Sequence, residues 1–221
     1  MSILSIKDVS YQYENTKKPV LKNINIDFEL GKVYCIIGKS GSGKTTFLSL
    51  LSGLDVCTEG EILYKEKSLK QSNRDDYRAH NIGVIFQGYN LLLNKTAYEN
   101  IELSMSISKV KQKDTRGYIL NLLETVGIHQ EIAFRKILKL SGGEQQRIGI
   151  ARALSHNPDI ILADEPSGNL DPETEEEIIK ILINLAHEQN KCVIIVTHSK
   201  KVTKYADEIW GMNRGKLIYT E

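Results

Sequence analysis

Val33-Tyr34-Cys35-Ile36-Ile37-Gly38-Lys39-Ser40-Gly41-Ser42-Gly43-Lys44-Thr45 governs the reading of the whole chain. Five apolar residues run without a break, as in a strand buried on both faces. They lead straight into Gly38–Thr45, which satisfies the pattern G-x-x-x-x-G-K-[ST], and Thr46–Leu51 then reads as a helix ended by Gly53. A plain glycine-serine turn would give the same string. The strand before it and the helix after it favour instead a loop that wraps a phosphate. Gly38, Gly41 and Gly43, with Lys39, Ser40 and Ser42 between them, let successive backbone N–H groups curve around an anion, and the helix start adds positive potential. Lys44 is expected to reach the β- and γ-phosphates of a nucleotide, Thr45 to hold Mg²⁺ through its hydroxyl, and Thr46 to contact the nucleotide beside it.

A second site element lies far downstream. Ile160-Ile161-Leu162-Ala163 is an apolar strand that ends in Asp164-Glu165. The C-terminal end of a parallel strand is where such sheets place ligands. Asp164 is expected to bind Mg²⁺ through its water shell, and Glu165 to polarise an attacking water as general base. An acidic strand end is ordinary by itself; beside a phosphate loop it becomes a site. Leu140-Ser141-Gly142-Gly143-Glu144-Gln145-Gln146-Arg147 opens a helix over Glu144–Ser155 and forms a second Ser/Gly-rich helix start. Such a terminus can bind an anion, although a hinge with an N-cap would have the same composition.

Around these motifs the pattern alternates between sheet and helix. Ile3–Val9 and Ile24–Phe28 show period-two hydrophobicity, and Ile62–Tyr64 and Ile82–Phe86 read as further strands, with helical Arg74–His80 between them. From about Tyr89 to Asn157 the strand signal disappears; Ala97–Ser106, Thr115–Val126 and Glu144–Ser155 have helical spacing, with Gly127 as a stop. Strands return at Ile160–Ala163, Cys192–Val196, Glu208–Gly211 and Leu217–Tyr219. Pro172–Glu188 reads as a long helix, capped by Asp171 and acidic in its first turn. The pattern is a mostly parallel α/β core interrupted by an all-helical insertion.

The 221 residues suffice for one large domain with a real core. A net charge of +1 gives no reason to expect nucleic acid as a partner. The apolar runs Ile160–Ala163 and Val193–Val196 are strand-sized, far short of the roughly 20 residues of a membrane-spanning helix. The stretch MSILSIKDVS lacks the features of a signal peptide, so a cytoplasmic protein is expected. Cys35, Cys57 and Cys192 are too scattered for a disulfide framework, and Cys35 and Cys192 read as small buried hydrophobes. His80, His129, His156 and His187 sit in polar contexts and are expected at the surface.

Leu140–Arg147, LSGGEQQR, is similar to the signature motif of the ABC ATPase family, and the resemblance extends over essentially the whole chain. It implies the ABC ATPase fold: an α/β P-loop NTPase core of mostly parallel sheet, an antiparallel β subdomain and an inserted all-helical subdomain. On this reading residues 1–221 form one domain, with 1–88 and 158–221 as core and 89–157 as helical subdomain. Gln87, after the Ile82–Phe86 strand, matches the glutamine that senses Mg²⁺ and the water. Ser167-Gly168-Asn169-Leu170-Asp171 looks like the D-loop, and His198 resembles the switch histidine on the γ-phosphate. Tyr13 fits the aromatic that stacks on adenine; Tyr11 fits it less well, and either can instead be an edge-strand packing residue. The resemblance further implies ATP and Mg²⁺ as cofactors and a homodimer on ATP binding. In that dimer Ser141, Gly142, Gly143, Glu144 and Asp171 of one copy would close on nucleotide held by the other. An integral membrane permease would be the partner, with this subunit peripheral on the inner face of the cell membrane. Glu144 stands where many relatives carry glutamine, and Phe134–Lys139 lacks the proline often found before the signature.

Phe86–Leu91, Leu162–Asp171 and Val196–Ser199 look like the branch that serves macrolide and peptide exporters, lipoprotein release and bacitracin-type resistance. That likeness implies export of a peptide, antimicrobial or lipoprotein-like cargo. A cell-division ATPase of the same branch, FtsE-like and driving transmembrane signalling, is the alternative.

Overall fold

In the computed structural model the chain is described over residues 2–220 apart from Asn15 and Lys17, and for Lys200 the backbone alone; Met1 of the N-terminal stretch lies outside the described residues. The chain runs β1 (Ser2–Tyr11), β2 (Leu21–Glu29), β3 (Val33–Ile37), α1 (Lys44–Leu51), β4 (Glu59–Tyr64), β5 (Lys67–Ser68), α2 (Arg74–His80), β6 (Ile82–Phe86). Helices follow at α3 (Ala97–Ile107), α4 (Thr115–Thr125), α5 (Gln130–Ala133) and α6 (Gly142–Leu154). The chain then closes with β7 (Ile160–Asp164), α7 (Pro172–His187), β8 (Cys192–Thr197), α8 (Lys200–Thr203), β9 (Glu208–Asn213) and β10 (Lys216–Tyr219).

Two sheets result. β2-β1-β4-β5 is antiparallel, and β10-β9-β3-β8-β7-β6 is parallel except for its β10 edge. Successive side chains of a strand point to opposite faces, so each apolar run of the parallel sheet feeds two cores. Val33, Cys35, Ile161, Ala163, Val193 and Ile195 pack with Ile101, Met105, Ile119, Leu123, Ile148, Ile178 and Leu182 of the helices. Tyr34, Ile36, Ile160, Leu162, Ile194 and Val196 pack on the other face, with Phe47, Leu50 and Leu51 of α1 and with the antiparallel sheet. Burying one such side chain fully is worth about 1.5–3 kcal/mol, which explains why β7 and β8 are apolar up to their last residues, Asp164 and Thr197. All three cysteines are buried and free.

The helices between β6 and β7 pack into the first core together with the sheet, and among the described residues an isolated bridge joins Thr96, just before α3, to Lys136. Helix starts follow the sequence signals. Asp171 Oδ1 accepts the Glu173 and Thr174 amides at 3.2 and 3.1 Å, with Pro172 in the first turn. Gly127 has φ +78°, the left-handed geometry that ends α4 and that a side chain disfavours. The short elements β5, α5, α8 and a 3₁₀ turn at Ile137–Lys139 are below the length at which periodicity is readable.

His156 departs from expectation. His80, His129 and His187 are exposed, but His156 is half-buried. Its Nε2 lies 3.0 Å from the Ile82 carbonyl, and burial holds its pKa below the ordinary histidine range. Its neighbours in sequence are polar; the residue that covers it comes from a strand more than seventy positions earlier. Among the described residues no helix is long and apolar enough to cross a membrane.

Leu162 is fully buried at the centre of β7. Leu162→Ala is expected to cost about 2–5 kcal/mol, read as a lowered denaturation midpoint, because neither α1 nor the sheet can collapse into the space.

Candidate functional site

Hydrogen-bond register, more than sequence, assembles the site. Ile37 at the end of β3 is level with Thr197 at the end of β8, and Asp164 at the end of β7 is level with Val196. Everything that follows these three strands therefore opens on one edge of the sheet. There a cleft of about 750 Å³ is lined by Lys39, Ser40, Gly41, Gly43, Lys44, Thr45, Thr46, Gln87, Asp164, Glu165 and His198, with Val20. Gly38 and Ser42 lie in the loop but not on that lining. Val20, which precedes β2, carries no motif and was invisible to sequence reasoning.

Gly43 caps α1 in the left-handed region at φ 111°, and no side chain caps the helix. A Cβ there would lie 2.9 Å from Leu21 Cδ2. The first amides of α1 are thus left free to meet an anion, where the helix dipole favours negative charge. Lys44, 9% exposed, donates to the carbonyls of Gly38 at 2.7 Å and Lys39 at 3.3 Å, so its ammonium is held inside the loop.

Thr45 Oγ1 lies 3.4 Å from Asp164 Oδ2. A hydroxyl beside a carboxylate is a hard, all-oxygen donor pair that suits Mg²⁺. Burial, then the charge of Glu165, raises the Asp164 carboxyl above its ordinary range; the Thr45 hydroxyl and the Lys44 ammonium oppose this only in part.

Glu165 stands one residue on, with φ +47°, a left-handed backbone that a non-glycine residue adopts only where its surroundings enforce it. The Val196 carbonyl accepts its amide at 2.8 Å. Its Oε2 accepts from Thr197 Oγ1 at 2.9 Å and from the His198 amide at 3.2 Å, while Oε1 lies 2.8 Å from His198 Nδ1. The expected base and the expected switch histidine therefore meet each other directly. Gln87 reaches Asn169 Oδ1 at 3.4 Å. The turn after it has left-handed Tyr89 and Asn90, whose carbonyls accept from Arg152 of α6.

The two tyrosines divide. Tyr11 is buried in β1, whereas Tyr13 is 43% exposed, edge-on to Tyr11, with its hydroxyl 3.0 Å from Thr46 Oγ1. Neither lines the cleft, but Tyr13 stands at its rim.

Ser141, Gly142, Gly143 and Glu144 are not brought to this cleft. Ser141 caps α6 in a reciprocal box: Glu144 Oε2 accepts from the Ser141 amide at 2.7 Å and its hydroxyl at 2.8 Å, and Ser141 Oγ accepts the Glu144 amide at 3.3 Å. Asp171 is likewise outside the lining, its second oxygen taken by Thr174 Oγ1 at 2.6 Å.

Residues 21–168 match the family model described as ABC transporter. An uncharacterized ABC transporter ATP-binding protein of Bacillus subtilis, YclH, is 44% identical over all of this chain and 98% of its own length. The macrolide export ATP-binding/permease protein MacB of Pasteurella multocida is 36% identical over 98% of this chain, which spans 34% of that protein. Among solved structures, the ATP-binding cassette MJ0796, a dimer in a post-hydrolysis state bound to ADP and Pi, superposes with a TM-score of 0.89. That match is 34% identical and covers 99% of this chain and 98% of that one. The fold is that of the ABC ATPase cassettes, and a cleft built on a phosphate loop and two strand-end acids agrees with the match. This chain belongs to the ABC transporter family, as an ATP-binding subunit that hydrolyses ATP.

Proposed function

We propose that this subunit works as an ATP-clamped pair beneath a separate membrane permease, at the inner face of the cell membrane, exporting a peptide, antimicrobial or lipoprotein-like cargo. One observation carries the pairing: the chain has two phosphate-seeking helix starts, and only α1 opens on its own cleft, while Ser141 of α6 lies away from it. A second copy related by a twofold axis would bring each Ser141 start to the other copy's cleft, making both contacts equivalent. The dimeric cassette MJ0796 supports this reading. Ser141, Gly142, Gly143, Glu144 and Asp171 would face nucleotide across that interface.

In this mechanism the loop Gly38–Thr46 binds the phosphates through its amides and Lys44, and Tyr13 stacks on the adenine from the rim. Thr45 and Asp164, with Gln87 behind them, would hold Mg²⁺, which neutralises charge on the phosphates when bound. Glu165 orients and deprotonates the attacking water. In the structure its Oε1 faces His198, so the carboxylate becomes a base for water as His198 turns to the γ-phosphate. Loss of that phosphate removes the bridge between copies and lets the pair open.

Exposed Leu92, Leu103 and Ile107 border a groove of about 580 Å³ between α2 and α3, an apolar surface that suits a protein partner. The export reading rests on the branch likeness and on the similarity to MacB. Uptake of cargo, or signalling to septal wall hydrolysis without transport, in vesicles holding the natural permease would overturn it.

Glu165→Gln is expected to bind ATP and dimerise while its phosphate release falls by about 100-fold or more; release at the parent rate would remove Glu165 as the base. Ser141→Arg is expected to keep nucleotide binding by the single chain but to abolish ATP-dependent pairing, measured by light scattering. Ile107→Glu is expected to sharply reduce co-purification with the permease while leaving the hydrolysis of the isolated chain unchanged.

A further inference from the structure

Glu175 lies outside every motif and outside the cleft, yet it is only 9% exposed. A carboxylate is seldom buried unless paired and hydrogen-bonded. Both its oxygens are used. Oε1 accepts from Ser167 Oγ at 3.2 Å and Ser199 Oγ at 2.9 Å, and Oε2 pairs with Lys201 Nζ at 2.7 Å. Burial raises its carboxyl, but the Lys201 ammonium and the two hydroxyls outweigh this and hold it below the ordinary range.

The partners define what it does. Ser167 opens the segment Ser167–Asp171, and Ser199 follows His198. From Ser199 the chain of bonds continues: its amide donates to Thr197 Oγ1 at 3.0 Å, and Thr197 Oγ1 donates to Glu165 Oε2 at 2.9 Å. From Ser167 it closes as well, because the Gly168 amide donates to the Glu165 carbonyl at 3.1 Å. The ring therefore runs from Glu165 through Thr197, Ser199, Glu175 and Ser167 back to Glu165. Its one helical member sits in the first turn of α7, the rigid anchor of the circuit.

We propose that Glu175 is a positioning residue for hydrolysis: it ties the Ser167–Asp171 segment to the turn carrying His198, and so holds the left-handed Glu165 backbone, and with it the carboxylate bonded to Thr197 and His198, in place. This rests on Glu165 being the base. Misplacing a catalytic group by about an ångström can cost on the order of 100-fold in rate, so the bridge affects turnover more than nucleotide affinity.

The test measures kcat, the KM for ATP and the thermal midpoint of the purified full chain. Glu175→Ala is expected to lower kcat by about tenfold or more with KM within about twofold. Glu175→Gln keeps an oxygen facing both serines and is expected to restore kcat to within about threefold of the parent. Unchanged kcat in the alanine variant, equal losses in both variants, or a kcat loss matched by a KM rise would each overturn the proposal. Should Glu175→Ala not fold, Ser167→Ala removes one donor and leaves the Lys201 pair intact. A several-fold kcat loss at constant KM then supports the bridge, and parent kcat overturns it. Glu165→Gln is assayed alongside: if it hydrolyses at the parent rate, the base assignment fails; if it is inactive while Glu175→Ala is not, the positioning role alone fails.

Discussion

Three parallel strands that end at the same height set up everything else in this molecule. Because β3, β8 and β7 are in register, Ile37, Thr197 and Asp164 finish together, and the segments that follow them share one edge. The phosphate loop, the pair Asp164-Glu165 and the turn at His198 lie far apart in sequence and need no long side chains to meet. That register is itself enforced by burial. Each strand faces an apolar core on both sides, and a slip of one position would exchange every residue between the cores. The chemistry at the edge is thus held in place by the packing of Tyr34, Ile36, Leu162 and Ile194, none of which touches it.

Much of this is legible in the sequence, for physical reasons that differ by element. A buried strand leaves an uninterrupted apolar run, which is why both ends of Val33–Ile37 are readable to the residue. Backbone-made sites leave glycines and small polar residues, so the loop at Gly38–Thr45 and the start at Ser141 announce themselves. Caps leave Asp171 before Pro172. Asp164 and Glu165 show as two acids at the end of an apolar strand, whereas the roles of Gln87 and His198 come only from the family likeness: nothing in the composition around them sets them apart.

What escaped reading has in common a dependence on distant partners. Thr197 ends a strand like many others, and only the fold places its hydroxyl on Glu165. Glu175 looks like one more acid in a helix whose first turn is acidic, yet it alone of them is buried, under Ser167, Ser199 and Lys201. Val20 has no signal at all. His156 was misread in the opposite sense, polar neighbours concealing the strand that covers it. Sequence reveals groups that act through their own backbone; groups that act through a contact across the fold stay hidden until the fold is known.

The cysteines bear on how the molecule can be studied. Cys35, Cys57 and Cys192 are each at most 5% exposed, and burial pushes the Cys35 thiol up to about 12. A thiol that seldom meets solvent reacts slowly with alkylating probes, and more slowly still where, as at Cys35, it also seldom ionises. The native chain is therefore close to silent toward maleimide dyes. A single reporter cysteine placed on an exposed turn would carry almost all of the label, with no native residue replaced first.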